Sequence, residues 1–358
     1  MECILGSLGL AWKYESMEIR YPQPLMTGDI IGVTSPSSGV PSELVGRLDF
    51  ALQHLRDLGF VVDLGNCMDG ATHISAPVEQ RAEELMRMLL DPKIKAVVPP
   101  WGGVTAIDIL PHLDFEAISA AEPTWIVGYS DISTLIAPLT LLTGNATIHG
   151  GNLMDTPYRV PDSLRSWLDV ASLSAGDTFK QSPPGVYRIN DWDDWSVEPE
   201  ATEHAWNGKG TWERLDAGLD EVSVSGRLIG GCIETLANLA GTPYLRTESL
   251  RNDPADPLIV YIEASGVEAT TICRHLHGMR LTGFFDGAAA IIVGRTGAPD
   301  SDTLTQNEAV LDALGTLDVP IIGNVECGHV PPHLAIINGA QGRLVFTDKE
   351  QYLAQTLA

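Results

Sequence analysis

The stretch TWIVGYSDISTLIAPLTLL, residues 124–142, decides how the chain is read. Three apolar residues, Trp125, Ile126 and Val127, run into Gly128-Tyr129-Ser130-Asp131, and a strongly apolar segment of helical length follows at once. A buried strand, a sharp turn and a helix are the setting that lifts a serine hydroxyl out of a sheet. The amide of the next residue, Asp131, is then free to receive negative charge on a substrate oxygen, and the helix N-terminus adds partial positive charge there. Ile132 stands where the second glycine of G-x-S-x-G would be, and a serine at this place also serves as a simple helix cap.

Outward from this stretch, strands and helices alternate. DIIGVTSP (29–36), FVVDLG (60–65) and KAVVPP (95–100) read as buried strands. Between them, residues 42–60 place Leu44, Leu48, Leu52 and Leu55 near one helical face, and residues 78–91 form a second helix. Residues 133–142 continue the pattern despite Pro138. Such alternation predicts a parallel sheet covered on both faces, a doubly wound domain of flavodoxin or Rossmann type. Past residue 222, strands at 224–231, 257–265, 288–295 and 320–329 alternate with helices at 232–240, 270–279 and 305–315. They predict a smaller C-terminal α/β domain. LAIINGAQGRLVFT (334–347) reads as a hairpin around Gly339–Gly342. The expected division is an N-terminal extension over 1–27, one domain over 28–185 and a second over 186–358, with a site in the cleft between them.

Residues 163–222 have no clean period but hold Trp167, Trp192, Trp195, Trp206 and Trp212 among many acids. Disordered segments are poor in aromatics, so this is an ordered and functional insertion.

Composition narrows the function classes. The chain has 358 residues and a net charge of −25, with no basic block, which excludes nucleic acid binding through a general electrostatic footprint. No apolar run approaches the roughly 20 residues of a membrane span. Five scattered cysteines without a C-x-x-C pair fit neither a disulfide framework nor a structural zinc site, and point to a reducing compartment. The apolar N-terminus lacks a basic flank and a cleavage site, so it reads as an extension or an upstream start ahead of Met17, and the protein as cytoplasmic.

A nucleophilic serine needs a base, and the base needs a carboxylate to hold its tautomer. Of nine histidines, His329 is best placed, at the end of an apolar strand between Gly328 and two prolines. His333 and His149 are its rivals, whereas His275 and His277 fall on a helix. Glu263 ends the apolar strand PLIVYIEAS, where an acid is anomalous without a partner. Glu234 starts a helix and is explained by that, and Glu326 has the wrong strand parity. Gly102 and Gly103, after AVVPPW, let a substrate approach the backbone and offer an amide to an oxyanion, or else form a tight turn.

Taken in order, DIIGVTSPSS (29–38), VVPPWGGVTAIDILPHLDF (97–115), GYSD (128–131), HGGNLM (149–154), GRLIGGCIETLANLAGTPY (226–244), IVYIEAS (259–265) and GNVECGHVPP (323–332) resemble the LD-carboxypeptidase family of serine peptidases. The resemblance implies a triad of Ser130, Glu263 and His329 built across two domains, an oxyanion hole from the amides of Gly103 and Asp131, no metal or organic cofactor, and a homodimer. The Trp-rich insertion resembles that of the branch of microcin C immunity proteins. That branch hydrolyses the amide between an acidic amino acid and a nucleotide-like group, as in processed microcin C and aminoacyl sulfamoyl adenylates. Cys232 stands where asparagine is common in the family. For such a substrate Gly102, Trp192 and above all Trp195 are the expected contacts, an indole on a loop being suited to cover a flat base. The other branch trims terminal D-alanine from murein tetrapeptides. A reading of a different class, a non-catalytic two-domain ligand-binding protein, would use the same cleft without a reactive serine.

Overall fold

The structure, a computed structural model, describes residues 17–190, 192–218, 221–251 and 257–358. The apolar stretch at the start of the chain and Cys3 lie outside the described residues, as does Asp191 of the tryptophan-rich insertion. Among the described residues no helix is long and apolar enough to cross a membrane.

Two sheets carry the fold. In the first, the strands Ile30–Val33, Val61–Leu64, Ile94–Val97, Trp125–Gly128 and Thr147–His149 are parallel, in the spatial order second, first, third, fourth, fifth. This is the flavodoxin-like order, and ligands in such sheets sit beyond the carboxyl ends of the strands. Trp125–Gly128 is buried at all four positions. The helix Ser133–Thr143 beyond it is buried along nearly its whole length, because its other side meets the second sheet.

The second sheet has a parallel centre of Val222–Cys232, Leu258–Glu263, Ala288–Gly294 and Ile321–Val325, flanked by antiparallel strands. The helices Ala269–Leu281 and Gln306–Leu314 cover it.

The chain does not keep its two halves apart. Thr178–Gln181 joins the far edge of the second sheet by pairing with Gln351–Thr356. Ile336–Asn338 returns to the first sheet, antiparallel to Thr147–His149. The expected hairpin around Gly339–Gly342 therefore does not form. Its first arm pairs with the first sheet, and its second arm, Gln341–Phe346, pairs with Val222–Cys232. At the turn, the Gly339 amide donates to the Leu228 carbonyl and the Leu228 amide to the Ala340 carbonyl, so these groups are already used. Asn338 couples the two sheets, donating to Thr147 Oγ1 at 3.1 Å and accepting from the Tyr261 hydroxyl at 2.8 Å. Before Gly28, Ile19 and Leu25 are buried in the core, so packing of the first domain begins upstream of that glycine.

Candidate active site

Ser130 follows the buried strand Trp125–Gly128 and has a φ of 61°, in the left-handed region. The other non-glycine residues described there are Asn190, Asp318 and Asn324, types that tolerate it. A serine held so is strained by about 1–3 kcal/mol, and such strain collects at functional sites. The turn is clamped from three sides. A Cβ on Gly128 would stand 2.7 Å from Asn152 Oδ1, and one on Gly102 would stand 2.9 Å from Ser130 Cβ. The buried Asp131 carboxylate accepts from Ser37 Oγ at 2.6 Å and from the Ala106 amide at 2.8 Å, which ties the glycine loop to the serine turn. That Cβ on Gly102 would also lie 3.1 Å from the Asp131 amide nitrogen, so its absence keeps this donor approachable. Gly103, at φ 147°, is wedged against Ser37 and Ser38.

The second sheet brings two more groups to the serine. Glu263 ends a strand buried at all six positions and is itself fully buried. His329 lies on the loop after Ile321–Val325. Its Nδ1 is 2.8 Å from Glu263 Oε2, and its Nε2 is 3.0 Å from Ser130 Oγ. The docking of the sheets depends on Gly231, where a Cβ would stand 2.8 Å from Ser133 Cβ. The Cys232 amide then donates to Ser133 Oγ at 3.1 Å.

Burial alone would raise the Glu263 pKa, but His329 and His149 outweigh it and hold the carboxyl below its usual range. Burial alone would lower that of His329, and the Glu263 carboxylate reverses this, so the imidazole titrates above its ordinary value. The other carboxylate oxygen, Oε1, has no hydrogen bond and lies 3.8 Å from Nε2 of the buried His149. The Tyr129 ring stands edge-on to His329 at 5.0 Å, near Asp155, whose pKa burial raises to about 6.

Of the other histidines, His333 packs on Tyr129 at 4.8 Å and is pushed down to about 3 by burial and by neighbouring histidines, so it stays neutral. His277 pairs with Asp312 at 2.7 Å on another face of the domain. Glu234 makes no hydrogen bond to the imidazole, although its charge adds to the rise of the His329 pKa. It accepts the amides of Ser265 and Gly266 at 2.7 and 3.0 Å and so shapes the loop that leaves Glu263. Glu326 accepts from the Trp212 indole at 2.6 Å and faces Arg295 at 3.5 Å.

The tryptophans divide. Trp195 is half-buried: its indole N–H donates to the Tyr158 hydroxyl at 2.8 Å, and its ring lies 4.9 Å from the Arg47 guanidinium. Both its polar edge and its aromatic face are therefore engaged by the first domain. Trp192 is 55% exposed.

Sequence reasoning does not single out His149, Asn152 and Asp155 as a group. All three lie in HGGNLMD (149–155), at a spacing of three along the turn after a strand, and that spacing is the available signal.

Gly328 gives a direct check on this geometry. Its φ is 105°, and a Cβ there would stand 2.5 Å from Glu263 Oε2. Gly328→Ala is expected to lower kcat on the order of 10²-fold, as a displacement of about 1 Å does, while thermal unfolding stays cooperative. Unchanged turnover would mean that the Glu263–His329 contact is dispensable.

Residues 31–150 match the model of the LD-carboxypeptidase N-terminal domain, and residues 225–344 that of the C-terminal domain. The microcin C7 self-immunity protein MccF of Escherichia coli is 28% identical over 351 residues, covering 92% of this chain and 96% of its own. A murein tetrapeptide carboxypeptidase of Pseudomonas aeruginosa is 29% identical over 154 residues, 41% of this chain and 49% of its own. The solved structure of MccF in complex with aspartyl sulfamoyl adenosine superposes with a TM-score of 0.79 at 23% identity, covering 94% of this chain and 98% of that one. The chain belongs to the LD-carboxypeptidase family of hydrolases.

Proposed function

We propose that the protein is a serine amidase that cleaves the amide between an acidic amino acid and a nucleotide-like group, through a Ser130–His329–Glu263 triad. The observation that carries this reading is the run of contacts from Ser130 Oγ to His329 at 3.0 Å and on to Glu263 at 2.8 Å, joined to a serine at φ 61°. Ser130 Oγ attacks the amide carbonyl while His329 Nε2 takes its proton. The amides of Asp131 and Gly103 receive the oxyanion. His329 then gives the proton to the leaving nitrogen, the C–N bond breaks, and water attacks the acyl-serine by the same route. Glu263 holds the Nδ1–H tautomer and steadies the imidazolium.

The likeness to MccF, whose solved complex holds aspartyl sulfamoyl adenosine, supports the substrate class. A net charge of −25 opposes an anionic substrate, so local positive charge matters. A cavity whose lining runs from Asp155 to the guanidinium groups of Arg159 and Arg165 offers it. The free thiols of Cys67, Cys232, Cys273 and Cys327 support a reducing compartment such as the cytoplasm, and the family likeness supports a homodimer.

The test is incubation with aspartyl sulfamoyl adenosine beside a murein tetrapeptide, products read by mass spectrometry. Release of aspartate from the first alone supports the reading. Release of D-alanine alone moves the protein to the murein reading, which the Pseudomonas relative favours.

Base recognition has its own test. The sequence favours Trp195, but its indole is committed to Tyr158 and Arg47, so exposed Trp192 is the freer ring. Trp192→Ala is expected to lower kcat/KM on the adenylate roughly 10-fold, with little change on a base-free amide of the same amino acid. Trp195→Ala, which unpins the loop, is expected to lower both. Equal losses for Trp192→Ala on the two substrates would remove the stacking role.

A further inference from the structure

We propose that Cys273, His277 and Asp312 form a binding site for a thiophilic divalent cation of the zinc class, bridging two helices of the second domain. Cys273 and His277 lie four residues apart on the helix Ala269–Leu281 and therefore share a face. Asp312 comes from the helix Gln306–Leu314, packed alongside. Its Oδ1 is 2.7 Å from His277 Nε2 and 3.4 Å from Cys273 Sγ, and the three donor atoms all lie within 4.8 Å of one another.

Zinc binds sulfur at about 2.3 Å and nitrogen or oxygen at about 2.0–2.2 Å in a tetrahedron. Such bonds put the donor atoms roughly 3.2–3.8 Å apart. The imidazole and carboxylate need to separate by only about half an ångström to admit the ion, which then takes the place of the protons now shared on Oδ1. Thiolate, imidazole and carboxylate suit zinc or cobalt, while calcium and magnesium require oxygen ligands. The side chains of His277 and Asp312 are 44% and 59% exposed, so a water can complete the fourth position. A surface His–Asp pair alone would account for two of the three groups and contribute little. It does not account for the thiol on the same oxygen. Cys67, Cys232 and Cys327 are all buried, and Cys273 alone among the described cysteines reaches solvent.

The ion would add a bond between two helices that already meet through packing and through the Arg280 guanidinium, which donates to the Ala313 carbonyl at 2.6 Å. Binding to the folded state alone raises the melting temperature as the ratio of ion concentration to Kd grows.

The experiment uses the full chain, stripped with a chelator and titrated with Co²⁺, then with Zn²⁺ as competitor. One Co²⁺ per chain is expected, with an intense thiolate-to-cobalt absorption band that Zn²⁺ abolishes, and a higher Tm in Zn²⁺. Cys273→Ser should lose the band, and His277→Gln should weaken binding on the order of 10-fold or more. Both should melt like the wild type in chelator. If Cys273→Ser fails to fold, Asp312→Asn and His277→Gln carry the test. A wild type without the band, or variants that bind Co²⁺ as the wild type does, would overturn the site. Since hydrolysis is not measured, neither result touches the proposed function.

Discussion

Ser130→Ala is expected to fold as the wild type does and to lose on the order of 10⁴-fold or more in kcat. Under the proposed mechanism the loss is large because a triad acts as a unit: without Oγ, the base and its carboxylate have no proton to move. What remains is binding and the amides that receive the oxyanion. Stability should be nearly unchanged, since alanine is disfavoured at φ 61° much as serine is. Ser130→Gly separates strain from chemistry. It is equally inactive but relieves the left-handed backbone, a gain of about 1–2 kcal/mol that the added chain entropy of glycine offsets by about 0.5–1 kcal/mol, so denaturant unfolding should show a small net stabilisation. Turnover retained by both variants would place the nucleophile elsewhere.

Glu263→Gln is the second large effect, on the order of 10⁴-fold in kcat, because an amide facing Nδ1 selects the wrong tautomer. It also carries a pH signature. His329 must be neutral to accept the serine proton, so kcat/KM rises with pH through its folded pKa. The Glu263 carboxylate raises that pKa, so the wild-type acid limb is expected above the ordinary histidine value of about 6.5. Removing the charge should move the limb of the residual activity to lower pH. Asp155, pushed up to about 6 beside Tyr129, titrates below that limb. A loss of activity with an unmoved limb would show that Glu263 does not act on His329 through its charge.

Much of this site was legible because its parts sit at the ends of uniformly apolar strands. Trp125–Gly128 and Leu258–Glu263 are buried throughout, so a serine, and still more a glutamate, at such an end needs a reason. Gly328-His329 between a strand and prolines was visible in the same way. The crossings were not. Thr178–Gln181 alternates between exposed and buried positions, but one of its inward residues is Gln181. That side chain is buried because its amide accepts from the Arg165 backbone and donates to the Ala335 carbonyl, each at 2.9 Å. Polar pairing of this kind leaves no hydrophobic period to read. Residues 334–347 have the glycines of a hairpin, and the choice between self-pairing and two separate sheets rests on distant partners, Thr147 and Leu228. The tryptophan insertion resisted for a similar reason: its strands Val186–Tyr187, Gly208–Lys209 and Glu213–Arg214 are too short to show alternation. The facing of His149 and Glu263 across two sheets has no local signature at all.

The central claim is that Ser130 is a nucleophile activated by His329. It is tested most directly by treating the full chain with a serine-directed phosphonate and locating the adduct by peptide mass spectrometry. The account predicts one adduct per chain, on Ser130, formed in step with loss of amidase activity and absent in His329→Ala. An adduct on another serine that tracks inactivation, or full inactivation with Ser130 unmodified, would contradict it.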